Sequence, residues 1–135
     1  MTKQFWINLP VQDLHKSKEF YSQLGFTINS NQANDDHVQL IIGDSNVVVM
    51  LFPNSTFTNF TKHEITDTKQ STEVLFSIDA ASREEVDELA RKVVTAGGTI
   101  YGEPSEHQGW MYGCGFADLD GHRWNVLYME MSRMP

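Results

Sequence analysis

Apolar and polar positions alternate over residues 5–11, with Phe5, Ile7, Leu9 and Val11 on one side and Trp6, Asn8 and Pro10 on the other. That period of two predicts a strand whose faces meet different surroundings. Asp13 follows as a helix N-cap, and Leu14, Phe20, Tyr21 and Leu24 then share one stripe until Gly25 ends the helix. Three further strands are expected over residues 26–29, 37–42 and 47–52, separated by Asn34-Asp35-Asp36 and Gly43-Asp44-Ser45-Asn46 as turns. Residues 1–52 therefore read as one βαβββ module.

Residues 53–70 are rich in Thr and Asn, with Phe57 and Phe60 interspersed, and read as a connector holding at most a single helical turn. The first pattern then returns. Over residues 73–79, Val74, Phe76 and Ile78 alternate with Glu73, Leu75, Ser77 and Asp79. Ser82-Arg83-Glu84-Glu85 is a capping box, and Val86, Leu89, Ala90, Val93 and Val94 form the apolar stripe of the helix it opens, which stops at Gly97-Gly98. Strands are expected over residues 99–101, 112–117 and 123–129, the last two joined by Asp118-Leu119-Asp120-Gly121 as a hairpin turn. Residues 71–135 thus form a second βαβββ module of one 135-residue domain.

One helix per four strands covers one face of each sheet and leaves the other bare, so the bare faces are expected to curl into a cup. Its wall would comprise Trp6, Asn8, Val48, Met50, Phe52, Glu73, Leu75 and Ser77. From the last strand it would take either Arg123, Asn125 and Leu127 or the opposite set, because parity alone does not decide there.

Composition narrows the partners. Ten Lys and Arg against eighteen Asp and Glu give a net charge of −8, and no cluster of cations is present to release counterions from nucleic acid or to hold an anionic membrane. The longest apolar run, residues 47–52, falls far short of the roughly 20 residues of a membrane-spanning helix. The lone cysteine, Cys114, fits a reducing compartment, and a cytoplasmic location is expected.

Leu9-Pro10-Val11-Gln12-Asp13-Leu14 with Ser17, Phe20-Tyr21 and Leu24-Gly25-Phe26, then Ser77-Ile78-Asp79, Ala96-Gly97-Gly98 and Phe116-Ala117-Asp118-Leu119-Asp120-Gly121-His122, resemble in order and spacing the vicinal oxygen chelate superfamily of glyoxalase I, bleomycin-resistance proteins and extradiol dioxygenases. The resemblance covers essentially the whole chain. It implies an α+β fold of two βαβββ modules with helices outside, paired as an open, cupped mixed sheet, usually in a homodimer, with a small-molecule or metal site in the cup. It also implies four metal-ligand positions, which here match Trp6, Met50, Glu73 and Asn125. Trp offers only an N–H donor, a thioether suits hard divalent ions poorly, and Asn125 is a neutral amide where the family has a carboxylate. Only Glu73 is a competent ligand, whereas a catalytic divalent site wants about three, so no metal or other cofactor is expected.

Glu73 is the catalytic candidate, as a general base or an anchor for a cationic or hydroxylated ligand, with Asn125 as its partner. Trp6, Asn8, Met50, Phe52, Trp110, Tyr112 and Asn125 are the ligand-binding candidates, Trp110 and Tyr112 belonging to a lid over residues 106–113. Cys114 reads as a small packed hydrophobe. The expected function is metal-free binding of a small organic molecule. The alternative is a lyase, isomerase or dioxygenase-type enzyme using Glu73 within a divalent metal site rebuilt from His37, His107 or His122, and a third possibility is a dimerising partner with a filled cup.

Overall fold

The computed structural model describes residues 1–29 and 36–135, so Asn34 and Asp35 of the expected turn lie outside the described residues. The chain divides into two compact units, Met1–Asp67 and Thr68–Pro135. Both are built on a four-stranded mixed sheet, and neither sheet closes on itself.

The first unit contains β1 (Trp6–Val11), α1 (Leu14–Gln23), β2 (Thr27–Ile28), β3 (Val38–Ile42), β4 (Val47–Pro53) and α2 (Asn54–Thr61). Its sheet order is β1-β4-β3-β2, with β1 and β4 parallel and the other pairs antiparallel. Asp13 caps α1 by accepting from the Lys16 N–H at 3.0 Å. At the other end Gly25 adopts φ 93°, its N–H donates to Ser22 O and the Phe26 N–H to Tyr21 O. This double bond closes the helix, and the Tyr21 and Phe26 rings meet with centroids 5.3 Å apart. Leu9, Val11, Phe20, Tyr21, Leu24, Val38, Leu40, Val49 and Leu51 form the core between α1 and the sheet.

The connector holds more structure than its composition suggests. Residues Asn54–Thr61 form the two-turn helix α2, with no buried residue. Its Phe60 ring packs edge-on against Phe52 at 5.1 Å, so an aromatic contact supplies what Thr and Asn propensity lacks.

The second unit contains β5 (Leu75–Asp79), α3 (Arg83–Ala96), β6 (Thr99–His107), β7 (Met111–Ala117) and β8 (Arg123–Met129), followed by a 3-10 turn at Met131–Arg133. Its sheet order β5-β8-β7-β6 repeats the first, again with one parallel pair, β5 with β8. Ser82 Oγ accepts from the Glu85 N–H at 3.1 Å, and α3 ends as α1 does: Gly97 sits at φ 99°, with the Gly97 N–H on Val94 O and the Gly98 N–H on Val93 O. Val86, Ala90 and Val93 pack on Cys114, Phe116, Trp124 and Val126 in the core. Trp124 is stacked on Phe116 with ring planes 4° apart.

β6 runs six residues beyond the strand expected at 99–101. Register shifts on either side of Gly102 accommodate Pro104 on this edge strand. The expected lid is therefore a hairpin: residues 106 and 107 end β6, residues 111–113 begin β7, and Trp110 lies in the turn, its N–H on His107 O and its carbonyl accepting from Glu130 at 2.7 Å. No helix among the described residues is long and apolar enough to cross a membrane.

Candidate functional site

In the first unit the face turned away from the main helix carries the candidate residues Trp6, Asn8, Met50 and Phe52. There β1 and β4 pair Trp6 with Val48, Asn8 with Met50, and Pro10 with Phe52, and β3 sets Gln39 beside Met50. Asn29, just past β2, donates its amide to Gln39 Oε1 at 3.1 Å. A row of polar and thioether groups, Asn8, Met50, Gln39 and Asn29, thus crosses all four strands. Trp6 stands at one end of the face, 52% exposed.

Phe52 marks the other end, where its ring meets His37 at 5.9 Å as well as Phe60 of α2. His37 turns Nδ1 to the Asp36 carboxylate at 2.9 Å and buries Nε2 without a hydrogen-bond partner among the described residues. Trp6, Asn8, Met50 and Phe52 accordingly share one face, as their parity predicts, but Phe52 is partly covered by its neighbours.

In the second unit the register resolves the ambiguity of the last strand. Trp124 and Val126 are buried against α3, which turns Arg123, Asn125 and Leu127 to the other face beside Leu75, Ser77 and Asp79 of β5. β7 contributes Gly113, Gly115 and Ala117 there. The two glycines sit under close neighbours: a Cβ on Gly113 would meet the Val126 carbonyl oxygen and then the Leu127 side chain, and one on Gly115 would meet the Tyr101 ring. Tyr101 in turn donates its hydroxyl to Trp124 O at 3.0 Å. The Arg123 guanidinium lies over the Tyr101 ring, 4.3 Å from its centroid. Burial pushes the Tyr101 hydroxyl pKa up, an effect that Arg123 partly offsets.

Two expectations need correction. Glu73 precedes β5 and is exposed; Ser77, four residues or about 13 Å of strand further on, is the residue opposite Asn125, whose amide reaches Ser77 Oγ at 3.5 Å. Glu73 and Asn125 are thus not a pair. Tyr112 does not share the face of Asn125: it has the parity of the buried Cys114 and Phe116, and its hydroxyl donates to Asp87 Oδ1 of α3 at 2.6 Å. That bond holds the proton on Tyr112 and raises its pKa. Arg83 covers the Tyr112 ring at 5.0 Å and bridges to Glu106 at 3.0 Å, a surface contact between α3 and the hairpin.

Two of the histidines offered for a rebuilt metal site lie apart. His107 pairs with Met111 at one end of β7, and His122 precedes the residue paired with Ala117 at the other, six residues or about 20 Å away. Among the described residues no three His, Cys, Asp or Glu come together. Nor do the residues at the family's four ligand positions fit a hard divalent ion: an indole that only donates, a thioether, an amide engaged with serine, and a carboxylate outside its strand. Cys114 is buried, with its thiol pushed up to about 11, first by burial and then by Asp87 and Glu103. It is a packed group and not a nucleophile at neutral pH.

The sequence reading missed Tyr101 as a site residue. The Gly113 and Gly115 pair, two side-chain vacancies on one face of a central strand, was the signal that a neighbouring side chain must lie across them.

The sequence profile of the Glyoxalase/Bleomycin resistance protein/Dioxygenase superfamily matches residues 3–126. A hypothetical protein from S. aureus is 42% identical, with a TM-score of 0.85 and 95% of each chain covered. A family enzyme from Burkholderia phytofirmans aligns at 17% identity over 92% of this chain and 96% of its own, with a TM-score of 0.76. A genomically encoded fosfomycin resistance protein from Listeria monocytogenes aligns at 18% identity over 98% and 97%, with a TM-score of 0.67. The last two likenesses are of fold. No curated protein matches the chain.

Proposed function

Because this chain belongs to the Glyoxalase/Bleomycin resistance protein/Dioxygenase superfamily, we propose that it binds a small organic molecule on a sheet face turned away from its main helix, without the divalent metal of the family's enzymes. The observation that carries this reading is Trp6, a half-exposed indole at the position of a metal ligand. An indole cannot ligate, but it offers a large flat apolar surface to an organic ring. Met50 beside Asn8 and Gln39 adds an adaptable thioether flanked by hydrogen-bonding amides, the mixture of apolar lining and few polar groups usual in small-ligand sites. We read the protein as a cytoplasmic homodimer, in keeping with its family's habit and with its single, free cysteine.

The test is elemental analysis of untagged protein for Zn, Ni, Mn and Fe, before and after incubation with each metal and dialysis. Less than about a tenth of an equivalent of each is the expected result. Near-unit occupancy that disappears in Glu73→Ala would overturn the reading and make the protein a metalloenzyme with rearranged ligands.

A further inference from the structure

From the face of the second sheet turned away from α3, we infer that this face binds a small organic molecule carrying an anionic group, a carboxylate or a phosphoryl or phosphonyl group, held by Arg123. This rests on the small-molecule reading above and names the chemical class that the second sheet takes. A buried guanidinium nitrogen with no acceptor is costly, and proteins keep such a group where something supplies one. Arg123 Nε is buried and has no hydrogen-bond partner among the described residues. Arg123 is in none of the ion pairs that Arg83, Lys92 and Arg133 make in this unit.

Its position is fixed rather than incidental. The guanidinium rests on the Tyr101 ring at 4.3 Å, the ring is seated over Gly115, and the Tyr101 hydroxyl is tied to Trp124 O. Stacking holds the planar fork in place, and a guanidinium so held suits bidentate recognition of a carboxylate or phosphate oxygen pair. Asn125 and Ser77 lie two residues along the same face, paired across β8 and β5. The Asn125 amide hydrogen not directed at Ser77, and the Ser77 hydroxyl hydrogen, supply further donors to a third oxygen. Leu75, 54% exposed beside Arg123, offers apolar contact to the rest of the molecule.

The experiment titrates the full-length protein with benzoate, phenylphosphonate and neutral benzamide, reading Kd by calorimetry for wild type, Arg123→Gln and Arg123→Lys. Wild type should bind at least one of the two anions roughly tenfold or more tightly than benzamide. Arg123→Gln should abolish that preference while leaving benzamide affinity unchanged, and Arg123→Lys should retain part of it. Equal binding of benzamide and both anions to wild type, or an anion preference that survives Arg123→Gln, overturns the inference and leaves the small-molecule reading standing. Binding of none of the three removes both. Should Arg123→Gln fail to fold, phenylglyoxal labelling of wild type read by peptide mass spectrometry decides: benzoate or phenylphosphonate must slow modification of Arg123 but not of the exposed Arg91, and equal rates with and without both anions overturn the inference.

Discussion

The Tyr101 ring occupies the space that a side chain on Gly115 would need, for a Cβ there would lie 2.5 Å from two of the ring carbons. The two residues belong to adjacent strands, and the absence of one side chain is what seats the other. Gly115→Ala should therefore expel the ring and cost about 1–3 kcal/mol of stability, as overpacking does. Urea unfolding checks this, and in a Tyr101→Ala background the same substitution should cost much less, because the conflict has gone.

Tyr112 should behave as a structural residue. Its hydroxyl commits its one donor hydrogen to Asp87 of α3, away from the face of Asn125, so Tyr112→Phe should lower stability by about 1 kcal/mol with ligand affinity unchanged. A loss of affinity with intact stability would return Tyr112 to the site.

Trp6 should show the reverse. The residue is half exposed, so Trp6→Ala should change unfolding free energy by no more than about 0.5 kcal/mol. Ligand affinity, followed by calorimetry, should fall at least severalfold.

Cys114 gives a signed pH dependence. Its thiol titrates at about 11 in the folded chain against an ordinary 9.0, so between those values the unfolded chain releases a proton that the folded one keeps. The stability from this group is complete below pH 9 and is lost as pH rises towards 11. Denaturant midpoints from pH 8 to 11 should fall more steeply for wild type than for Cys114→Ala, and native protein at pH 8 should react with a thiol reagent only as fast as it opens.

Much of the fold was legible because its signals are local. Alternation marks β1 and β5, an unbroken apolar run marks β4, and side-chain caps with stop glycines bound α1 and α3. β6 was legible only at its start, since Gly102 and Pro104 interrupt the alternation and the bulges that absorb them depend on β7. The orientation of β8 was hidden for a different reason. Both of its faces carry large side chains, and what decides between them is that Trp124 finds Phe116 and Phe76 while Arg123 finds Tyr101, contacts between residues far apart in the chain. Trp6, Asn8 and Met50 could be placed together by parity, whereas Glu73 could not be excluded from β5 without knowing where that strand begins. Tyr112 could have been placed correctly, since it has the same parity as Cys114 and Phe116.

With Gly113 and Gly115 at its centre, β7 gives the second sheet a bare middle strand, and the relief of that face is drawn by side chains leaning in from either side, Tyr101 from β6 and Leu127 from β8. The strand that carries the hydrogen-bonded ladder is therefore not the one that sets the contour. Substitutions at 101 and 127 can deepen, flatten or tilt the surface while the backbone beneath stays as it is, so a lineage of such chains can change what it recognises without having to learn a new way to fold.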